Sequence, residues 1–212
     1  MKNIVILISG RGSNMQALLS AKLNCHIAAV ISNRADASGL TVAQEHGIPT
    51  AVVSHREHPD RESFDSALSE VIDKFNPDFV ILAGFMRILT EKFVTHYHGR
   101  LINIHPSLLP AYTGLHTHAR ALQDGVKIHG CTVHFVTPDL DHGPIIIQAA
   151  VPVLSTDTEH SLAARVLHEE HRIYQQAIRW LCSGQIELDA QGKVLDHGRR
   201  QAGFALISPA LE

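Results

Sequence analysis

Short runs of β-branched and aliphatic residues alternate with helical patterns through the first half of the chain, and this alternation limits the possible folds more than any other feature. It is typical of successive β-α-β units, in which consecutive strands lie parallel in one sheet. The pattern predicts strands at residues 4–9, 26–32, 51–53, 79–83 and 101–104, with helices at residues 13–21, 39–46 and 62–75. The sequence therefore predicts an open, mostly parallel α/β sheet.

The second half of the chain has a different pattern, because a proline-rich loop at residues 106–110 leads to a segment that contains several histidines. Further elements are predicted beyond it: strands at residues 131–136 and 144–153, a long helix over residues 162–181, and a hairpin turn at residues 190–193. We predict a doubly wound α/β fold with antiparallel strands in its carboxy-terminal half. The 212 residues are expected to form one domain, residues 1–212.

Composition and charge exclude several classes of protein. A net charge of −3 at pH 7 gives no general attraction to nucleic acid. No apolar stretch approaches the roughly 18 residues that a membrane-spanning helix needs. The three cysteines, Cys25, Cys131 and Cys182, form no C-x-x-C pair, which argues against a disulfide framework and a thiolate zinc site. We expect a cytoplasmic protein that binds neither nucleic acid nor a membrane.

Histidine is unusually frequent, with 16 residues against 18 lysines and arginines, which raises the alternative of a metal protein. Paired imidazoles occur at His96 and His98, at His116 and His118, and at His168 and His171. None of these pairs has convincing ligand spacing, since the last is one residue short of the H-E-x-x-H zinc motif and lacks a third ligand. The sequence therefore predicts no catalytic metal.

The loop after the first predicted strand has the composition of an anion site. Gly10 and Gly12 permit close approach of the backbone, and Ser13 and Asn14 can cap the following helix or donate to phosphate oxygens. The dinucleotide fingerprint is incomplete, because its third glycine would fall at Met15, and the lysine of a P-loop is absent. A monophosphate is favoured over a dinucleotide. The alternative is a tight turn with an ordinary helix cap.

A second candidate site lies at the carboxyl end of the fifth strand, where open α/β sheets place their ligands. Asn103 and His105 project from the same face of that strand, so an amide and an imidazole converge on one point. Two such donors suit an oxyanion. A catalytic histidine commonly needs a carboxylate beside it, and Asp141 is the first candidate, with Asp139 as the competing choice.

Five segments taken together identify a family. They are residues 8–14, 82–89, 103–110, 114–118 and 133–137. In this order they resemble the folate-dependent formyltransferases that act on glycinamide ribonucleotide in purine synthesis, and the resemblance covers nearly the whole chain. The Asn-x-His-Pro core is also similar to those of methionyl-tRNA formyltransferase and formyltetrahydrofolate deformylase. Those relatives carry a further domain, for which we expect no room here, and the phosphate loop matches the purine enzymes.

The resemblance implies a Rossmann-like formyltransferase fold, 10-formyltetrahydrofolate as co-substrate, small-molecule partners only, and a monomer or homodimer. It implies that the ribonucleotide contacts Gly12, Ser13, Asn14, Leu167, His168, Glu169 and Glu170. It places the folate against Arg61, Met86, Arg87, Ile88, Leu89, Asn103, Thr137, Pro138, Asp139, Leu140 and Asp141. The chain departs from the commoner family pattern at His142, where a second glycine is frequent, and at Thr113, where proline is frequent.

The expected reaction is direct formyl transfer. The ribonucleotide amine attacks the formyl carbon, Asn103 and His105 stabilise the oxyanion, Asp141 keeps the imidazole charged, and His116, His118 and His134 can support these groups. Two alternatives remain open at this point: hydrolysis of the formylfolate to formate, and a nucleotide-sensing module without catalysis.

Overall fold

The computed structural model describes residues 1–198 and Ser208. In this part of the chain the strands are β1 (Lys2–Ile8), β2 (Cys25–Ser32), β3 (Thr50–Val52), β4 (Phe79–Leu82), β5 (Leu101–His105), β6 (Ile128–Phe135), β7 (Ile145–Pro152), β8 (Ile186–Leu188) and β9 (Val194–Asp196). The helices are α1 (Ser13–Leu19), α2 (Ser38–Glu45), α3 (Arg61–Asp73), α4 (Glu91–His96), α5 (Thr117–Gln123) and α6 (Glu159–Ser183).

Seven strands form one sheet in the order β3-β2-β1-β4-β5-β6-β7. Strands β1 to β5 pair in parallel, whereas β6 runs antiparallel to both of its neighbours. This confirms the α/β fold with antiparallel strands in the carboxy-terminal half. The strand order reverses between β1 and β4, and ligands of such sheets bind at the carboxyl edge beside a reversal. The predicted hairpin turn is also confirmed, since β8 and β9 pair antiparallel around it.

The sheet carries helices on both faces, as a doubly wound fold requires. Buried side chains of α1, α2 and α6 pack against one face, and those of α3 and α4 pack against the other. The residues of β1 from Ile4 to Ile8 are all fully buried, because a parallel central strand is covered on both sides. Both candidate sites are therefore anchored to rigid strands.

The long helix α6 begins and ends with strong local signals. Its first turn forms a capping box between Thr158 and Ser161, and Gly184 ends it in a left-handed conformation. The buried Tyr174 hydroxyl donates to the carbonyl oxygens of Leu82 at 2.9 Å and Ile102 at 3.3 Å. These bonds fix α6 against β4 and β5. No helix in the described ranges is long and apolar enough to cross a membrane.

Two short helices were not predicted from the sequence. The six-residue α4 is capped by Thr90, whose side chain accepts from the Phe93 amide, and it buries only Phe93 and Val94. The seven-residue α5 lies in the histidine-containing segment and buries only Thr117 and Ala121. Neither helix is long enough to repeat an apolar pattern, which is the signal on which the prediction depended.

Candidate active site

Asn103 and His105 lie at the carboxyl end of β5 and share one face of the sheet. Ile102 and Ile104 point to the opposite face and pack in the core that α6 covers. The strand thus presents two polar side chains on one side while its apolar residues anchor it on the other.

The His105 imidazole is almost buried, with 6% of the residue exposed. Its Nε2 lies 2.9 Å from the Tyr112 carbonyl oxygen, which can only accept, so Nε2 carries a hydrogen. Its Nδ1 lies 3.6 Å from Asp141 Oδ2. At this separation Asp141 does not hold Nδ1 in a short hydrogen bond, so this ring nitrogen stays available to a ligand.

Asp141 reaches His105 because the loop that follows β6 folds back over β5. The residue has a left-handed backbone conformation (φ 56°), and its Oδ2 accepts a 2.8 Å hydrogen bond from the Gly114 amide. A Cβ at Gly143 would overlap the carbonyl oxygen of Phe135, so glycine is required there. His142, in contrast, is exposed, which explains how this loop accommodates a side chain where the family often has glycine.

The Asn103 amide is held by His134, its neighbour across the β5–β6 pairing. His134 Nδ1 donates to the Phe135 carbonyl at 2.8 Å, so its Nε2 accepts from Asn103 Nδ2 at 3.2 Å. Burial lowers the pKa of the His134 imidazole, which favours this neutral form. One Asn103 amide hydrogen is used in this way, and the second remains for a ligand.

Buried hydrogen bonds fix the loop that follows β5. Thr132 Oγ1 donates to the Ser107 carbonyl at 2.7 Å and accepts from the Leu109 amide at 3.1 Å. Gln148 Nε2 donates both to Thr132 Oγ1 and to the Leu109 carbonyl, each at 2.9 Å. Ser107 Oγ donates to the Ala111 carbonyl at 2.6 Å. This network determines where the next residue, Tyr112, places its carbonyl against His105.

A cleft of about 230 Å³ lies at the reversal between β1 and β4. It is lined by residues 9–14 and by the segment that follows β4. Gly12 precedes α1 in a left-handed conformation (φ 67°), and no side chain caps this helix. Ser13 and Asn14 therefore do not form the ordinary cap that was the alternative interpretation of this loop, and no N-cap side chain accepts from the amides of the first turn of α1.

One polar contact joins the phosphate loop to α6. Asn14 Nδ2 donates to Glu170 Oε2 at 2.7 Å, and only 7% of Glu170 is exposed. Burial raises the pKa of the Glu170 carboxyl, and the hydrogen bond from Asn14 opposes that shift. Asn14 Oδ1 is buried and has no partner among the described residues. A buried carboxyl beside an unsatisfied amide oxygen is suited to a ligand that brings hydrogen-bond donors.

The side of the site predicted for the folate combines exposed apolar side chains with a half-buried arginine. Met86, Ile88 and Leu140 are 70%, 60% and 53% exposed. The Arg87 guanidinium carbon lies 5.7 Å from the centroid of the Phe64 ring. Its Nε is buried without a partner in the described part of the chain. Exposed apolar side chains next to an unsatisfied cation are features of a surface that a flat, acidic ligand covers.

Sequence reasoning missed two residues that position this surface. Ser9 Oγ accepts from the Met86 amide at 2.8 Å and donates to Asn33 Oδ1 at 2.7 Å. Asn33 is itself buried at the end of β2. Short polar residues at the end of a strand were the only available signal, and it does not distinguish such a network from a turn.

The structure brings the other residues that were predicted to contact the ribonucleotide or the folate together less closely. His168 is exposed, and Glu169 pairs with Arg172 at 2.8 Å instead of facing the cleft. Arg61 is exposed at the start of α3. Several predicted folate contacts are exposed or half-buried loop residues: Leu89, Thr137, Pro138 and Asp139. Leu167 is half-buried on α6.

Three histidines were predicted to support the catalytic groups, and the two that lie outside β6, His116 and His118, are on or beside α5. His116 is exposed, and the His118 ring contacts His129, with Nδ1 and Nε2 3.2 Å apart. Burial lowers the pKa of both imidazoles, that of His129 to about 4. Residues 1–198 and Ser208 contain no group of three or more histidine, cysteine, aspartate or glutamate side chains arranged to hold a metal ion.

Comparison with known proteins identifies the family of this site. The family model described as "Formyl transferase" matches residues 2–178, which include both candidate sites. The chain belongs to the formyl transferase family. This formyl transferase is 50% identical over 201 residues to phosphoribosylglycinamide formyltransferase of Escherichia coli strain K12, covering 93% of this chain and 95% of the relative.

Solved structures support the same relationship. The structure of phosphoribosylglycinamide formyltransferase from Coxiella burnetii superposes with a TM-score of 0.89 at 48% identity, covering 95% of this chain and 96% of that one. A formyltetrahydrofolate deformylase from Pseudomonas syringae superposes with a TM-score of 0.85 at 30% identity, covering 93% of this chain and 66% of that one. The formyl transferase fold is thus shared with a protein named for hydrolysis.

Proposed function

We propose that this formyltransferase transfers the formyl group of 10-formyltetrahydrofolate to the amine of glycinamide ribonucleotide in de novo purine synthesis, and that residues 1–212 act as one domain. The observation that carries the proposal is the position of Asn103 and His105. The second Asn103 amide hydrogen and His105 Nδ1 are both left for a ligand at the carboxyl end of β5, beside Asp141. Relatives with this fold and close sequence similarity are named for the same reaction.

The two donors serve the formyl oxygen. When the amine attacks the formyl carbon, that oxygen becomes negatively charged, and donors already in place stabilise it without reorganisation. The Tyr112 carbonyl engages His105 Nε2, which turns Nδ1 toward the substrate. His134 engages one Asn103 amide hydrogen, which directs the second one to the same oxygen.

Asp141 lies beside the same imidazole. Its carboxylate is 3.6 Å from His105 Nδ1 and is held by the Gly114 amide, so it acts on the ring electrostatically and helps to fix its orientation. A hydrogen bond to an oxyanion is roughly twice as strong as one between neutral groups. The proton of the attacking amine leaves through water, the C–N bond to the folate breaks, and tetrahydrofolate departs, so no covalent bond to the protein forms.

The ribonucleotide fits the cleft beside β1. Its phosphate contacts the amides of Gly12, Ser13 and Asn14, where the backbone offers donors. The Glu170 carboxyl accepts hydrogen bonds from the end of the ribonucleotide opposite its phosphate. The folate lies over Met86 and Ile88, and Arg87 receives one of its carboxylates, consistent with the unsatisfied Nε.

The direct test follows tetrahydrofolate formation from 10-formyltetrahydrofolate with and without glycinamide ribonucleotide. We expect release that depends on the amine, with one formylated ribonucleotide for each folate released. Release at the same rate without the amine, with formate as the other product, would assign the protein to hydrolysis. Binding of the ribonucleotide without any release would assign it to nucleotide sensing.

Glu170→Gln provides a test of the ribonucleotide site. We expect the KM for glycinamide ribonucleotide to rise about 10- to 100-fold, because a hydrogen bond to a charged group contributes roughly 1.5–3 kcal/mol. The amide oxygen introduced by the substitution still accepts from Asn14, so the fold is retained. Glu159→Gln, at the exposed start of α6, is the control and leaves KM unchanged.

The same variant has a pH signature in thermal unfolding of the ligand-free protein. Because burial raises the pKa of Glu170, this group stabilises the fold below its unfolded-state pKa and loses that contribution as the pH rises through the folded-state pKa. We expect Glu170→Gln to gain stability relative to the wild type between acidic and neutral pH. If the stability of Glu170→Gln relative to the wild type falls as the pH rises, the result contradicts this account of the site.

Chelation tests the expectation that catalysis needs no metal. After exhaustive dialysis against a strong chelator, turnover is expected to stay within experimental error of the untreated enzyme, since the proposed donors are N–H groups. The measurement is kcat before and after treatment. Loss of activity that zinc restores would require a different mechanism.

A further inference from the structure

One short segment, residues 112–114, holds the groups that lie beside both ring nitrogens of His105. The Tyr112 carbonyl oxygen lies 2.9 Å from His105 Nε2. Two residues later, the Gly114 amide donates to Asp141 Oδ2 at 2.8 Å, and the same oxygen lies 3.6 Å from His105 Nδ1. A shift of this segment therefore moves the neighbours of both nitrogens. Whatever fixes the segment also fixes the orientation of the imidazole.

The Tyr112 side chain contacts α5 and β6, whereas its carbonyl contacts His105. Its hydroxyl donates to Asp124 Oδ2 at 2.9 Å, at the end of α5. The Arg120 guanidinium carbon lies 5.4 Å from the centroid of the tyrosine ring. The His129 ring of β6 meets the tyrosine ring edge to face, with the centroids 5.7 Å apart. The two ends of this one residue thus join α5 to the proposed active site.

Arg120 holds the same segment by a second contact. Its Nη1 donates to the Thr113 carbonyl at 2.6 Å. Arg120 and Asp124 are four residues apart, so both lie on one face of α5. That face therefore contacts the Tyr112 ring, its hydroxyl and the carbonyl that follows it.

The backbone of Tyr112 needs such contacts. Its φ is 54°, in the left-handed region that is unfavourable for a residue with a Cβ atom. A bulky residue keeps this conformation only where its surroundings hold it there. The bond from Ser107 Oγ fixes the Ala111 carbonyl, but the direction of the Tyr112 carbonyl depends in addition on its own backbone angles. The side-chain contacts with α5 are suited to hold those angles.

We propose that Tyr112 is a positioning residue for formyl transfer, because its side chain, held by Arg120 and Asp124, keeps its carbonyl on His105 Nε2. This contact turns His105 Nδ1 toward the formyl oxygen. The inference rests on the proposed function, in which His105 donates to that oxygen. Tyr112 acts only through His105 and has no part in binding either substrate.

Three substitutions of Tyr112 separate the side chain from the backbone angle. Tyr112→Gly adopts the left-handed conformation freely but loses the contacts with α5, Tyr112→Ala also keeps the unfavourable angle, and Tyr112→Phe keeps the ring. We expect kcat to fall about 10-fold or more in the glycine and alanine variants, since a small misplacement of a reacting group is costly. The phenylalanine variant recovers most of this loss, and both KM values stay unchanged throughout.

Gln123→Ala, at an exposed position of α5, is the control and keeps the wild-type kcat. Wild-type kcat in Tyr112→Gly would overturn the proposal, because the backbone conformation alone would then be sufficient. A rise in KM without a loss of kcat would overturn it as well, because Tyr112 would then act on binding.

The His105 ring of the ligand-free protein provides a readout that does not depend on turnover. Proton–nitrogen correlation spectra of the wild type are expected to show an Nε2 hydrogen that its bond to the Tyr112 carbonyl protects from exchange with solvent. The absence of this signal in His105→Gln assigns it. We expect the signal to be lost in Tyr112→Gly and retained in Gln123→Ala.

Retention of the protected Nε2 hydrogen in Tyr112→Gly would overturn the proposal. Its loss supports the positioning of His105 even if no formyl transfer is found, because the measurement needs no substrate. Failure of the proposed function is thereby distinguished from failure of this inference.

Arg120→Ala tests the partner of the tyrosine ring. We expect a loss of kcat similar to that of Tyr112→Gly, since the ring contact and the bond to the Thr113 carbonyl are both removed. In the double variant the loss is expected to be much smaller than the product of the two single losses, because both substitutions remove the same support. Losses that multiply would show two independent effects and contradict the account.

Discussion

His105→Ala is expected to lower kcat by a factor of about 10²–10³, because one donor to the oxyanion is lost while the bound substrates keep their other contacts. The effect falls on kcat more than on either KM, since the donor acts mainly on charge that develops during the reaction. Steady-state kinetics with both substrates varied provides the measurement.

His105 is nearly buried, so its truncation leaves a cavity, and His105→Gln is the companion variant. The longer amide retains volume but supplies no positive charge, and we expect a similar loss of kcat with a Tm close to that of the wild type. His46→Ala is the control, because His46 is exposed at the end of α2. If His105→Gln kept near-normal turnover, the oxyanion role would have to be withdrawn.

Asp141→Asn is expected to reduce kcat by about 10²-fold or more, since the neutral amide no longer places a negative charge beside His105. The amide oxygen still accepts the Gly114 hydrogen bond, so the loop keeps its position. The loss should therefore come from charge and not from misfolding.

Asp139→Asn is the matched comparison for this second prediction. Asp139 belongs to the same loop but is exposed, and its backbone carbonyl accepts from Thr137 at 3.2 Å. We expect kcat to change only slightly. A larger loss from Asp139→Asn than from Asp141→Asn would transfer the role to Asp139.

The arrangement of side chains on β5 could be predicted because it follows from a period of two. A strand in which Asn103 and His105 alternate with isoleucines has to place both polar groups on one face, and the structure has this arrangement. The turn before α1 was predictable from its glycines, since glycine beside a strand end permits the left-handed conformation that Gly12 adopts.

Contacts between distant segments were not predictable in this way. The Tyr112 carbonyl that engages His105 is a backbone group, which any residue could supply at that position. The orientation of Glu170 toward Asn14, and of Glu169 toward Arg172, depends on the rotation of α6 against the sheet. Spacing in the sequence contains no information on these contacts.

A deformylase shares this fold at 30% identity, so formyl transfer has to be distinguished from hydrolysis with particular care. The same oxyanion donors serve attack by water or by an amine. What distinguishes the two reactions is a neighbouring site that holds the amine. We propose that Asn14, which lines the cleft beside β1, and its partner Glu170 belong to such a site, and this is the structural reason for favouring transfer.

The most direct test of the account is a crystal structure with glycinamide ribonucleotide and an unreactive analogue of the formylfolate. The account predicts the formyl oxygen about 2.7–3.1 Å from both Asn103 Nδ2 and His105 Nδ1, with the ribonucleotide amine facing the formyl carbon. A formyl oxygen that contacts neither nitrogen, or an amine held on the far side of the cleft, would contradict it.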